Sequence, residues 1–570
     1  MAAVPPSQER SQQARTDETG KPVFEWTLTS TKLTDTVRLI AGPFNVLPVI
    51  FVPGIMGSNL KSKVDGKPVW RLDTGIGGIP WGMLSKFATK GPGPRQQLLH
   101  PDRCEVDDDG LVPKKGKHTK ELYRARGWGE VGEGSYHKYL LWLENELNPA
   151  EGNPALWHDY YQAQTTISAP PQPGEKPRLF PGIRMGMAGE PFGAEKFPLE
   201  AIMSDDLMAR ARFMMPVYAC GYNWLDSNEQ AAKRLAAKIE TVINLFNQGQ
   251  YSCQQVLLVT HSMGGLVARA CAQIPGMADR IAGIVHGVMP ANGAAVAYRR
   301  CKIGMRDEDF GAGLVIGSTG QEVTAVFAQA PGALQLLPAH SYAHGWLKVV
   351  GDQGQKLIEL PEAGKSSYDA IYRERKEWWG LVNEAWLSPK EGAPIDWSDY
   401  ETNLEIAERF HRRLLGQYHH NSYVIYGADP KQPSFEKVTW RAQKGIAPDQ
   451  RQPPDLNAIK NLPHGDIRGA GSTPGYVGGG LEVSPSFEYG MASTYQSSYW
   501  ELHCERQDGD GDGTVPKSSG AAPLAEGGGS IRQQFKLSGF GHEPAYKNEG
   551  VQRTSLFAIN KIAGTAKVPS

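Results

Sequence analysis

The chain has 570 residues, with 60 Lys and Arg against 61 Asp and Glu and a formal net charge of −1. Such a balance creates no polyelectrolyte field, so nucleic acid is not expected as a partner. Gly (65) and Pro (41) make the chain loop-rich but leave it below the roughly 25–30% that marks low complexity.

Residues 1–45 read as a polar N-terminal tail, and residues 46–570 as one catalytic domain with long insertions. The first 23 residues lack the apolar core of a secretory signal, which predicts synthesis in the cytoplasm without a Sec signal. The apolar run from Leu47 to Met56 holds two prolines and a glycine and spans about half the length that a membrane-crossing helix requires. It reads instead as a buried strand, LPVIFVP (47–53), leading into the loop VPGIMGS (52–58). Gly54 and Gly57 would let that loop approach a ligand closely.

After an insertion over 62–210, rich in Trp, Gly and Pro, comes a second strand, MPVYACGY (215–222). Ser227 then stands as N-cap of a helix whose Leu235, Ile239, Val242, Ile243 and Phe246 recur at helical spacing. A third strand, QQVLLVT (254–260), runs into His261-Ser262-Met263-Gly264-Gly265 and a further helix. This is the context of a nucleophile elbow, in which a sharp strand-to-helix turn projects the serine from the sheet and the helix N-terminus adds positive potential. Thr260 departs from G-x-S-x-G, standing where the first glycine usually sits. A fourth strand, IAGIVHGVMP (281–290), follows, then an insertion over 301–420, the strand SYVIYG (422–427) and a Gly-rich excursion over 428–499. Strand, helix, strand, helix, strand predicts a doubly wound, mostly parallel α/β sheet with large cap insertions, and the elbow at Ser262 places it in the α/β-hydrolase pattern. Insertions on the carboxyl edge of such a sheet usually build the substrate cleft. Trp70, Trp81, Trp346 and Trp378 are candidates for an apolar groove there, and ordinary core packing would account for each equally well.

A serine nucleophile needs a base, and in the α/β-hydrolase order acid and then histidine follow it. His542 is the one histidine after the acidic cluster QDGDGDGTVP. It lies just past the strand candidate IRQQFKL (531–537). Asp508, Asp510 and Asp512 are candidates for the acid. Asp512 is favoured because the following Gly-Thr-Val-Pro turns the chain away and leaves its carboxylate at a strand end. The same aspartates open like a calcium loop, but the twelfth position is Ser519 and the ninth Pro516, which fails that pattern. The oxyanion of an acyl intermediate would take hydrogen bonds from the N–H groups of Met263 and Ile55. Six scattered cysteines without a CxxC pair support neither a disulfide framework nor a zinc site, and no cofactor or metal is expected.

Taken together, VPGIMGS, the Tyr222-Asn223-Trp224 turn, THSMGG (260–265), YVIYG (423–427) and DGDGTVP (510–516) followed by a late histidine resemble the lecithin:cholesterol acyltransferase and PGAP1-like branch of α/β-hydrolase lipases. Through HGVMPANGAAVAYRR (286–300) and PGALQLLP (331–338) the chain is most similar to bacterial phospholipase effectors of type VI secretion, the Tle4-like group. The resemblance implies a triad of Ser262, Asp512 and His542 with Ile55 and Met263 as the oxyanion hole. It also implies a serine lipase or phospholipase acting through an acyl-enzyme on a lipid substrate, with transient contact at a membrane surface. A lipid acyltransferase with the same triad and a cytoplasmic esterase without a toxin role are the alternatives. An effector would further imply secretion by a type VI system into the periplasm of a target cell, with secretion machinery and an immunity protein as partners.

Overall fold

The computed structural model describes residues 45–71, 90–148, 193–196, 201–202, 204–249, 251–305, 316–444, 459 and 500–568, together with short strand segments elsewhere. Within the segment read as a polar tail, Arg10–Gln13 pairs in parallel with Val37–Ile40, and Arg15–Thr16 pairs with Pro22–Val23.

The centre is a six-stranded sheet built from β1 (Val49–Val52), β2 (Val217–Ala219), β3 (Val256–His261), β4 (Ile281–Gly287), β5 (Ser422–Gly427) and β6 (Ile531–Leu537). Their order is β2-β1-β3-β4-β5-β6, and every neighbouring pair is parallel. Parallel strands covered on both faces read as unbroken apolar runs, which is why β1 to β5 are buried along their whole length. On one face, Ile50, Leu258 and Ile284 meet Leu235, Ile239 and Val242 of α2 (Asn228–Asn247) and Leu266 of α3 (Gly264–Ala272). On the other, Phe51, Val259 and Val285 meet Leu140 and Leu143 of α1 (Lys138–Leu147) and Phe557, Ile559 and Ile562 of α4 (Glu549–Thr565). The Ser227 hydroxyl accepts the Gln230 N–H and caps α2.

The insertion over 62–210 does more than cover the sheet. Glu144 accepts the Val217 N–H at 2.8 Å, the Trp128 indole N–H donates to the Val217 carbonyl at 3.0 Å, and the Ala219 N–H donates to the Arg126 carbonyl at 2.8 Å. The outer edge of β2 is thereby paired, as an edge strand must be if it is not to recruit another chain. The insertions over 301–420 and 428–499 are joined in a second, five-stranded sheet. Its order is Lys356–Leu360, Leu347–Val350, Val438–Lys444, Trp500–Cys504, Tyr476–Gly478. No described helix is long and apolar enough to cross a membrane.

Candidate active site

β3 ends at His261, and Ser262 turns the chain into α3 with a φ of 53°. A left-handed conformation costs a non-glycine residue about 1–2 kcal/mol, so it persists where the surroundings over-determine it. Here the Ser262 N–H donates to the Gly287 carbonyl at 2.8 Å. A side chain on Gly264 would overlap the Val52 carbonyl oxygen, so α3 packs tightly against β1 only because that position is glycine. Thr260 is accommodated in full burial beside Val52 and His286 in the neighbouring strands. Among the described residues its hydroxyl finds no hydrogen-bond partner.

His542 follows β6, and its Nε2 lies 2.8 Å from the Ser262 Oγ. Its Nδ1 lies 2.8 Å from Asp512 Oδ2. The other oxygen of Asp512 accepts the Thr514 N–H at 3.1 Å and the Val515 N–H at 2.7 Å, so the turn after Asp512 aims the carboxylate at the imidazole. Asp512 is buried, Asp510 half-buried and Asp508 exposed. Asp508 instead accepts the Lys437 N–H. Among the described residues, the three carboxylates do not gather at ligand distances from one another.

Residues 54–57 form a turn closed by the Gly57 N–H on the Gly54 carbonyl at 3.1 Å, with Met56 at a φ of 62°. A Cβ on Gly54 would stand 2.9 Å from the Ser262 Cβ, so this loop abuts the serine directly. Ile55 is half-buried beside it and Met263 is fully buried. Among the described residues, neither the Ile55 nor the Met263 N–H donates to another backbone group. Chemically, an aspartate, an imidazole and a serine in a row can draw the hydroxyl proton onto Nε2 as the oxygen attacks a carbonyl.

Residues 227–303, which hold α2, β3, the Ser262 turn, α3 and β4, match the family described as "PGAP1-like alpha/beta domain". The chain has an α/β-hydrolase fold, and this segment of it is similar to that family. A chain of "The crystal structure of Tle4-Tli4 complex" is similar over 91% of this chain and 98% of its own, at 29% identity and a TM-score of 0.66. No curated protein matches. The matched segment contains Ser262 and Met263, whereas Ile55, Asp512 and His542 reach it from elsewhere in the sequence.

The structure decides one point that the sequence left open and adds a residue that it did not single out. Trp70, Trp346 and Trp378 are fully buried, with indole N–H groups donating to the Met56 carbonyl, the Ser367 hydroxyl and the Ile459 carbonyl. They are core residues, and Trp70 clamps the 54–57 turn. Trp81 lies outside the described residues. The added residue is Asp429, two positions beyond β5, whose carboxylate accepts the Lys431 and Gly539 N–H groups, each at 2.8 Å. Those two bonds hold it below the usual carboxylate range. Position after a strand was the only sequence signal for it.

Asp512 also returns to β5 after a long detour. Asp429 pairs with Gly511 in a short antiparallel ladder, and a Cβ on Gly427 would lie 2.7 Å from the Asp512 Cβ. The excursion therefore leaves and re-enters the sheet at one point, which places an acid 85 positions downstream at the end of that strand.

Proposed function

We propose that this protein is a serine lipase or phospholipase that cleaves carboxylic esters of lipids through an acyl-enzyme. The observation that carries the reading is the unbroken row from Ser262 Oγ to His542 to Asp512, at 2.8 Å and 2.8 Å, on a serine at positive φ. Ser262 Oγ attacks the acyl carbonyl carbon while its proton passes to His542 Nε2. The tetrahedral oxyanion then rests on the Ile55 and Met263 N–H groups, each worth roughly 3 kcal/mol to the transition state. Collapse breaks the carbon–oxygen bond to the alcohol, which takes the proton from His542. Water, deprotonated by the same imidazole, then attacks the acyl-serine, and the imidazolium returns that proton to Ser262 Oγ as the carbon–oxygen bond breaks and the fatty acid is freed. Asp512 keeps the proton on Nδ1 and supports the imidazolium.

The PGAP1-like domain and the likeness to a chain of the Tle4-Tli4 complex support a lipid ester as substrate. The likeness to a chain of the Tle4-Tli4 complex also supports an antibacterial effector delivered by a type VI system and covered in the producing cell by an immunity protein. Incubation with phosphatidylethanolamine and phosphatidylglycerol vesicles tests the chemistry: wild type releases fatty acid, and Ser262→Ala does not. Release by the variant at the wild-type rate would reject the serine mechanism. Directing the chain to the periplasm of a sensitive bacterium tests the effector role, with growth arrest expected for wild type alone.

A further inference from the structure

His261 is adjacent to Ser262 and buried, and both of its ring nitrogens are engaged. Nε2 lies 2.9 Å from the main-chain carbonyl oxygen of His542. A carbonyl only accepts, so Nε2 carries the proton, and in a neutral ring Nδ1 must then be an acceptor. Burial, followed by the neighbouring His542, pushes His261 down to about 3 and keeps the ring neutral. The partner of Nδ1 is the Tyr136 hydroxyl at 3.1 Å, which therefore donates to it. That same oxygen accepts the Gly54 N–H at 3.2 Å. Every bond in the chain from Gly54 to His542 thus has one permitted direction.

The two ends of this chain lie on the two loops that the chemistry uses. At one end, the Ile55 amide sits between a Gly54 N–H tied to Tyr136 and a Met56 carbonyl tied to the Trp70 indole at 2.6 Å. At the other, the main chain of His542 is fixed at the residue whose imidazole meets Ser262. Resting on the serine-esterase reading above, we propose that Tyr136 and His261 are positioning residues. They lock the oxyanion-side loop to the histidine loop across the turn of Ser262, so that acceptor site and proton carrier keep one relative geometry. Neither residue touches substrate in this account; both act through the backbone they hold.

The test compares wild type, Tyr136→Phe, His261→Gln and His261→Leu on a soluble short-chain ester and by the rate of fluorophosphonate labelling. Tyr136→Phe retains the ring that packs on Phe51 at 4.9 Å and removes only the hydroxyl. Its kcat and its labelling rate are expected to fall together by about 10- to 100-fold, with KM within a factor of about two, the size of effect that sub-ångström misplacement produces. His261→Gln keeps a side-chain N–H able to reach the His542 carbonyl, and is expected to recover part of what His261→Leu loses. Wild-type kcat in a folded Tyr136→Phe, or equal loss in His261→Gln and His261→Leu, overturns the positioning role while leaving the serine mechanism standing. A wild type that the fluorophosphonate fails to label sinks the serine mechanism, and this proposal with it.

Discussion

Asp429 accepts the Gly539 N–H at 2.8 Å, three residues before the histidine that meets Ser262. By chain order Asp429 is as eligible as Asp512 to be the acid, yet its oxygens are occupied by the two backbone N–H groups. It anchors the His542 loop and leaves the imidazole to Asp512. Replacing Asp429 by Ala is expected to lower kcat by about 10- to 100-fold through displacement of that loop, with labelling of Ser262 slowed to the same degree. A loss as deep as that of Asp512→Asn would instead make Asp429 part of the proton path.

Asp512→Asn and Asp510→Asn separate the acid from its neighbour. An amide at 512 would favour the wrong imidazole tautomer, and a loss of about 10⁴ in kcat follows from analogous triads. The half-buried Asp510 makes no contact with His542, so its variant is expected to keep wild-type ester hydrolysis. Steady-state kinetics on one ester read both.

Gly264→Ala tests the packing behind the elbow. The added methyl would overlap the Val52 carbonyl, and forcing an extra carbon into a filled core typically costs about 1–3 kcal/mol. Denaturant unfolding should show a lower midpoint together with slower labelling, because the displaced helix carries the Met263 N–H. An unchanged midpoint and labelling rate would mean that the close approach of α3 to β1 is not required.

Acid should destabilise the fold before it touches the carboxylates. Burial pushes His137 and His411 down to about 4, and His261 and His286 down to about 3, from an ordinary value of 6.5. Between those limits the unfolded chain binds protons that the folded chain refuses, so stability rises with pH across this window and is lost as pH falls through it. At pH 5 each such histidine opposes folding by about 2 kcal/mol. Glu144 acts at lower pH. Burial alone would raise it, but the Arg126 guanidinium at 3.0 Å and His118 outweigh this and hold it at about 2. Its contribution is present above 4.5 and lost as pH falls toward 2. Melting temperatures across pH 7 to 4 should decline steeply, and a flat profile would contradict the buried neutral histidines.

The same cluster predicts that Arg126→Met is strongly destabilising, since removing one partner strands a buried carboxylate at a cost of about 3–5 kcal/mol. Glu144 also accepts the Val217 N–H, so loss of its orientation would release the edge of β2. Increased aggregation alongside the lowered unfolding midpoint is the expected signature.

What was legible in the sequence follows from how the chain is buried. The sheet strands could be read because parallel strands enclosed on both faces are continuous apolar runs. Ser262 stood out through its strand-turn-helix setting, and chain order pointed to His542. Tyr136 could not be read, because its partners Gly54 and His261 lie 82 and 125 positions away and no local pattern encodes such a bond. The second sheet was hidden for a similar reason. Val438–Lys444 pairs with a strand from the preceding insertion on one side and with Trp500–Cys504 on the other. The tryptophans were ambiguous because apolar bulk serves a core and a cleft alike, and only their satisfied N–H groups decide for the core.

The most direct measurement is mass-spectrometric localisation of a fluorophosphonate adduct on the intact protein. A single adduct on the peptide bearing Ser262, absent from His542→Ala and Ser262→Ala, is the result expected here. A stoichiometric adduct on another residue, or wild-type labelling in His542→Ala, would contradict the claim that these two side chains form one reactive pair.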